Sequence, residues 1–131
     1  MRPAPPGRQH DAGALILSYV ILVPVFLAAV MVVVQASLWY LAREAALAAA
    51  RQGADAARVL HAPPGAGPSA ALAFARSSAS GYLLQPQATP AGSTSSTVRI
   101  TVTGQVPDLI PGLPITVSQA AVAPVEKFTT P

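Results

Sequence analysis

The chain has 131 residues, 52% of them hydrophobic and 10% charged, with a formal net charge of +3 and a pI near 10. That length holds one membrane helix and one small domain, and the scattered basic groups lack the concentrated positive face that nucleic-acid binding needs. Without cysteine there is no disulfide framework, thiol nucleophile or thiolate metal site, and without asparagine there is no acceptor for Asn-linked glycosylation.

Met1 to Asp11 forms a short polar head in which Pro3, Pro5, Pro6 and Gly7 exclude a stable helix. Ala12 to Ala42 then carries no Asp, Glu, Lys, Arg or His, and its centre, Ala14 to Val34, is apolar except for Ser18. At about 1.5 Å per residue that centre makes a helix of roughly 31 Å, close to the thickness of a bilayer's hydrocarbon core. Pro24 lies inside it and removes one backbone hydrogen bond, which predicts a kink of the kind membrane helices tolerate. Trp39 and Tyr40 stand where the run meets water, with Arg43 just beyond them, as expected of interface anchors; Tyr19 lies near the other end.

From Arg43 to Leu60 the sequence is rich in Ala, the best helix former, and becomes amphipathic. Arg43, Arg51, Asp55 and Arg58 share a stripe that Leu47 interrupts, and Asp55 is spaced to pair with Arg51 or Arg58. The stripe either touches anionic headgroups or a partner helix, or keeps a protruding helix soluble; the local pairing favours solubility. Pro63-Pro64-Gly65 stops the helix by Ala62, and residues 62–68 read as a linker.

Ser69 is the expected N-cap of a short helix to about Ser80, with Leu72 and Phe74 as packing residues and Gly81 as terminator. Thr97 to Thr103 alternates, placing Val98, Ile100 and Val102 on one face, and Ile115 to Ser118 alternates too. The segment from Pro107 to Pro114 is the turn between these strands, and a third, weaker strand is expected near Gln85 to Thr89.

Nothing here predicts catalysis. His10 and His61 have no Ser/Asp partnership or metal-ligand spacing, the five carboxylates are spread singly, and no glycine stretch makes a phosphate loop. No cofactor or small-molecule substrate is indicated. The apolar segment itself keeps three readings open. It fits a cleavable secretory signal ending at Val34-Gln35-Ala36, a plain membrane anchor, or a prepilin-type leader whose polar head ends at Gly13 while the apolar helix is retained.

Several segments, taken in order, resemble the TadE-like pilus-assembly proteins: Asp11-Ala12-Gly13-Ala14, Ile21-Leu22-Val23-Pro24, Gln35-Ala36-Ser37-Leu38-Trp39-Tyr40 and Ala48-Ala49-Ala50-Arg51-Gln52-Gly53-Ala54. Val102-Thr103-Gly104, Pro111-Gly112-Leu113-Pro114 and Ala123-Pro124-Val125-Glu126-Lys127-Phe128 continue the likeness toward the C-terminus. The resemblance implies a pseudopilin of tight-adherence (Flp) pilus machinery, cut by a prepilin peptidase between Gly13 and Ala14. The family pattern places Glu at the fifth residue after the cut, where its carboxylate meets the free amino terminus of a neighbouring subunit. Here that position is Ser18, which removes both the buried charge and its role in subunit addition.

The fold expected is membrane α+β. A polar leader (1–13) and a transmembrane helix (14–36) continue into a protruding Ala-rich helix (37–61), a linker (62–68) and a small domain (69–131) with a short helix and an antiparallel sheet of about three strands. Arg2 and Arg8 precede the span and Arg43, Arg51 and Arg58 follow it, so charge selects no orientation. The resemblance implies a cytoplasmic N-terminus, a single pass through the cytoplasmic membrane and an extracytoplasmic C-terminal domain. The expected partners are the bilayer, other pilus-assembly membrane proteins and the peptidase. The alternative function is a secreted envelope binding protein with a cleaved signal.

Overall fold

The computed structural model describes residues 1–3 and 9–127. Two helices, α1 (Gln9–Ala57) and α2 (Ala66–Ser78), precede three strands, β1 (Leu84–Thr89), β2 (Thr97–Val106) and β3 (Ile115–Pro124). The long apolar helix, the short helix and the three-stranded antiparallel sheet agree with the expected α+β class. Of the expected polar head, Pro5, Pro6, Gly7 and Arg8 lie outside the described residues, as does Phe128 at the tail.

The chain divides into two units, Met1–Val34 and Gln35–Pro131, and the division falls inside α1. In the first unit the helix starts at Gln9, five residues before the expected Ala14. No proline follows Pro6 until Pro24, so helix propagates back from the apolar run through the polar residues before it.

The second unit contains the sheet, in the order β1-β2-β3. Val98, Ile100, Val102, Gly104 and Val106 of β2 alternate inward, as the pattern predicted for the first three. The β2–β3 register sets Val98 opposite Ala123, Ile100 opposite Ala121, Gly104 opposite Val117 and Val106 opposite Ile115. At the other side of β2, β1 slips register between Leu84 and Gln87, so Pro86 sits at a bulge on an edge strand, where its missing N–H costs no ladder bond.

The inward face of this sheet shares one core with small residues on both helices. Ala42, Ala45, Ala46, Ala49, Ala50 and Ala54 of α1 are buried at helical spacing, together with Ala71 and Ala75 of α2. Residues from Gln35 therefore fold with the sheet, where the sequence suggested a protruding helix followed by a separate domain. The cause is the Ala stripe, which lets backbones approach closely and gives the sheet something to cover.

Three expected boundaries shift for local reasons. Helix α1 ends at Ala57, before Leu60, and the freed Arg58 carbonyl accepts the Glu126 N–H at 3.0 Å. Ser69 is not the N-cap of α2: Gly65 is, at φ 85°, and the Ser69 hydroxyl bonds back to the Ala66 carbonyl at 3.2 Å. Pro68 fits within the first turn, where a missing N–H is harmless. Gly81 does not terminate α2 either. The cap is Ala79, and the Ser78 carbonyl accepts the Tyr82 hydroxyl at 2.8 Å. Of the two expected packing residues, Phe74 reaches the core edge, whereas Ala71 and Ala75 hold the buried positions in place of Leu72.

Candidate membrane span and assembly surface

Every residue from Leu15 to Val34 is exposed, with large apolar side chains such as Met31 and Ile16 showing 40% and 66% of their surface. A contiguous apolar surface of this extent marks an interaction with lipid or protein. Among the described residues this is the one helix long and apolar enough to cross a membrane. Gly13 and Ala14, the expected cleavage pair, lie within α1, and Gly13 is exposed with open space around its missing side chain. Ser18 is exposed on the same helix, which also runs through Pro24.

One residue past Val34 the environment reverses. Gln35 is 6% exposed, and its amide makes two bonds to the β2–β3 loop. Its Nε2 donates to the Pro107 carbonyl at 3.2 Å, and the Leu109 N–H donates to its Oε1 at 3.0 Å. A buried amide with both ends bonded escapes the cost of desolvation and ties the loop to the start of the second unit. Trp39 (41% exposed) and Tyr40 follow on the surface, and the Arg43 guanidinium carbon lies 5.9 Å from the Trp39 ring centroid, within cation–π range.

Further along α1, glycine sets the closeness of the two helices. A Cβ at Gly53 would lie 2.7 Å from the Gly67 carbonyl oxygen, 2.9 Å from the Ala71 Cβ and 3.0 Å from Ile100 Cγ2. Gly67 is as tightly held, between Ile100 Cδ1, Ala57 Cβ and the Gly53 carbonyl. The opposite, solvent side carries the basic stripe: Arg51 is exposed, and Asp55 pairs with Arg58 at 3.3 Å rather than with Arg51. Among the described residues no three His, Cys, Asp or Glu side chains cluster as a metal site would require.

Sequence reasoning missed the Gln35 clasp and the buried Ala stripe. A signal for each was present. An amide closing an uncharged run needs partners, and Ala recurring at three- and four-residue intervals is a packing face as well as a helix-forming composition.

No curated protein and no solved structure matches the chain. Residues 13–55 match the family model described as TadE-like protein. That family implies involvement in assembly of tight-adherence (Flp-type) pili. The exposed apolar run, Trp39 and Tyr40, the Gln35 clasp and the small-residue face of α1 as far as Ala54 all lie within the segment that matches the TadE-like family model.

Proposed function

We propose that the protein is a non-enzymatic, single-pass pseudopilin that takes part in assembling a tight-adherence pilus through helix packing. The match over residues 13–55 carries this reading, because it covers the exposed apolar span together with the helix face that organises the second unit. In this reading the span from Ala14 sits in the cytoplasmic membrane, bent at Pro24 and anchored by Trp39, Tyr40 and Arg43. The unit from Gln35 is extracytoplasmic. Other pilus-assembly membrane proteins are its partners, and a prepilin peptidase cuts between Gly13 and Ala14.

Retention of the span is supported by Gln35. A secretory cut after Ala36 would discard a buried side chain that bonds Pro107 and Leu109. Mass spectrometry of the mature amino terminus separates the readings. A start at Ala14 is expected for prepilin processing, an uncut terminus leaves a plain anchor, and a start at Ser37 would overturn the proposal in favour of a secreted envelope protein. Deleting the gene in a piliated strain is expected to impair pilus assembly, and unchanged piliation and adhesion would count against the assembly role.

A further inference from the structure

The two ends of the sheet differ in chemistry. At one end the β1–β2 connection, Pro90 to Ser96, is built from small and hydroxylated residues. Its hydroxyls are consumed locally: Ser93 Oγ accepts the Arg99 N–H at 2.9 Å and Thr94 Oγ1 accepts the Thr97 N–H at 3.1 Å. Nearby, the Val125 N–H reaches the Ser96 carbonyl and the Glu126 N–H reaches that of Arg58, so this end also holds the C-terminal end of α1. At the other end the β2–β3 connection reads Pro107-Asp108-Leu109-Ile110-Pro111-Gly112-Leu113-Pro114, with Asp108 its one charge. Leu109 and Leu113 are exposed, Leu113 at 50%, and Ile110 is half-buried.

This apolar loop is an ordered structure. Gly112 at φ 84° follows Pro111 in a tight turn that the Leu113 N–H closes onto the Ile110 carbonyl at 3.3 Å. The Gln35 amide grips its first residues at 3.0 and 3.2 Å. Gln35 directly follows the apolar run in the chain, and the first charge after it is Arg43. The loop is thus held beside the residue that ends the exposed apolar run, while the polar connection lies about 30 Å away, the length of β2.

We infer that the 107–114 loop is a second membrane contact, laying Leu109, Ile110 and Leu113 into the interfacial layer of the bilayer that the helix crosses. The inference rests on the reading of Ala14 to Val34 as a bilayer span, and its occupant follows from continuity with that span. An apolar turn tied to the point of membrane exit meets lipid first, and side chains of this size gain by leaving water for the acyl boundary. Asp108, exposed at the loop's start, remains at headgroup level. The contact needs no choice of membrane orientation, because it follows the leaflet from which Gln35 emerges.

The test uses the full chain reconstituted in phosphatidylcholine vesicles with bromine on the acyl chains, read by tryptophan fluorescence. Trp39 is the only tryptophan, so the native chain reports the aromatic boundary. A Leu113→Trp variant on a Trp39→Phe background reports the loop, and a Ser95→Trp variant on the same background reports the opposite end of the sheet. Both positions are exposed, and a circular dichroism spectrum matching that of the native chain is required of each variant before its emission is read. Loss of emission from the Leu113→Trp indole comparable with that of native Trp39, with none from Ser95→Trp, is the expected result. Quenching of Trp39 alone would overturn the loop contact while leaving the span intact. No quenching at any position, with the chain recovered free of vesicles, would overturn both. A Leu109→Trp variant gives a second reading of the same loop and is expected to lose emission likewise.

Discussion

At Gly53 two effects of opposite sign compete. Replacing it with Ala gains up to about 1 kcal/mol of intrinsic helix propensity. The new methyl, however, meets the Gly67 carbonyl oxygen at 2.7 Å and the Ala71 Cβ at 2.9 Å, and relieving such overlap in a closed core costs about 1–3 kcal/mol. The overlap involves backbone on the facing helix, so it wins: Gly53→Ala is expected to lower the unfolding midpoint of the full chain in detergent. Gly104→Ala is expected to do the same, because its methyl would strike the buried Leu83 side chain, whose Cγ lies 2.8 Å away. A double-mutant cycle with Leu83→Ala should show strong coupling, as expected of residues in direct contact. Gln35→Leu removes both bonds to the β2–β3 loop, each worth about 0.5–1.5 kcal/mol net. Hydrogen exchange should register that loss as faster exchange at the Leu109 amide.

At the scale of elements, the parts with strong periodicity were legible in advance. The inward face of β2, the weaker strand before Pro90 and the long apolar helix follow from alternation and from an uncharged run that no other element could use. The ends of the helices were less legible, since they depend on distant partners. Nothing near Ala57 announces that its helix will stop there; the carbonyl of Arg58 is taken by Glu126, far along the chain. The start of α2 misled for another reason. Ser69 is a common capping residue, but Gly65 already supplies the left-handed turn and Pro68 occupies a first-turn site that suits it. This difference is measurable. Ser69→Ala should change thermal stability little, whereas Gly65→Val puts a branched side chain at φ 85° and should cost about 1–2 kcal/mol. Of the candidate surface, the uncharged run that the structure leaves exposed was legible from composition. Gln35 became visible only once its partners, more than seventy residues away, were brought to it.

At the scale of the molecule, the second unit treats half of α1 as its own core. A fragment beginning at Ala62 would keep α2 and all three strands yet lose Ala42, Ala46, Ala49, Ala50 and Ala54, uncovering Ile100 and Val102. Such a fragment is expected to show no cooperative thermal transition, while one beginning at Gln35 should unfold sharply; circular dichroism melts of the two decide it. The same arrangement bears on the length of the apolar run. The uncharged stretch runs on past Val34 to Ala42, so hydropathy alone does not mark where the exposed apolar run ends. Because the Gln35 amide binds the β2–β3 loop and the Arg58 carbonyl accepts the Glu126 N–H, the residues of α1 from Gln35 onward are committed to the folded unit and cannot lengthen the exposed run without breaking it.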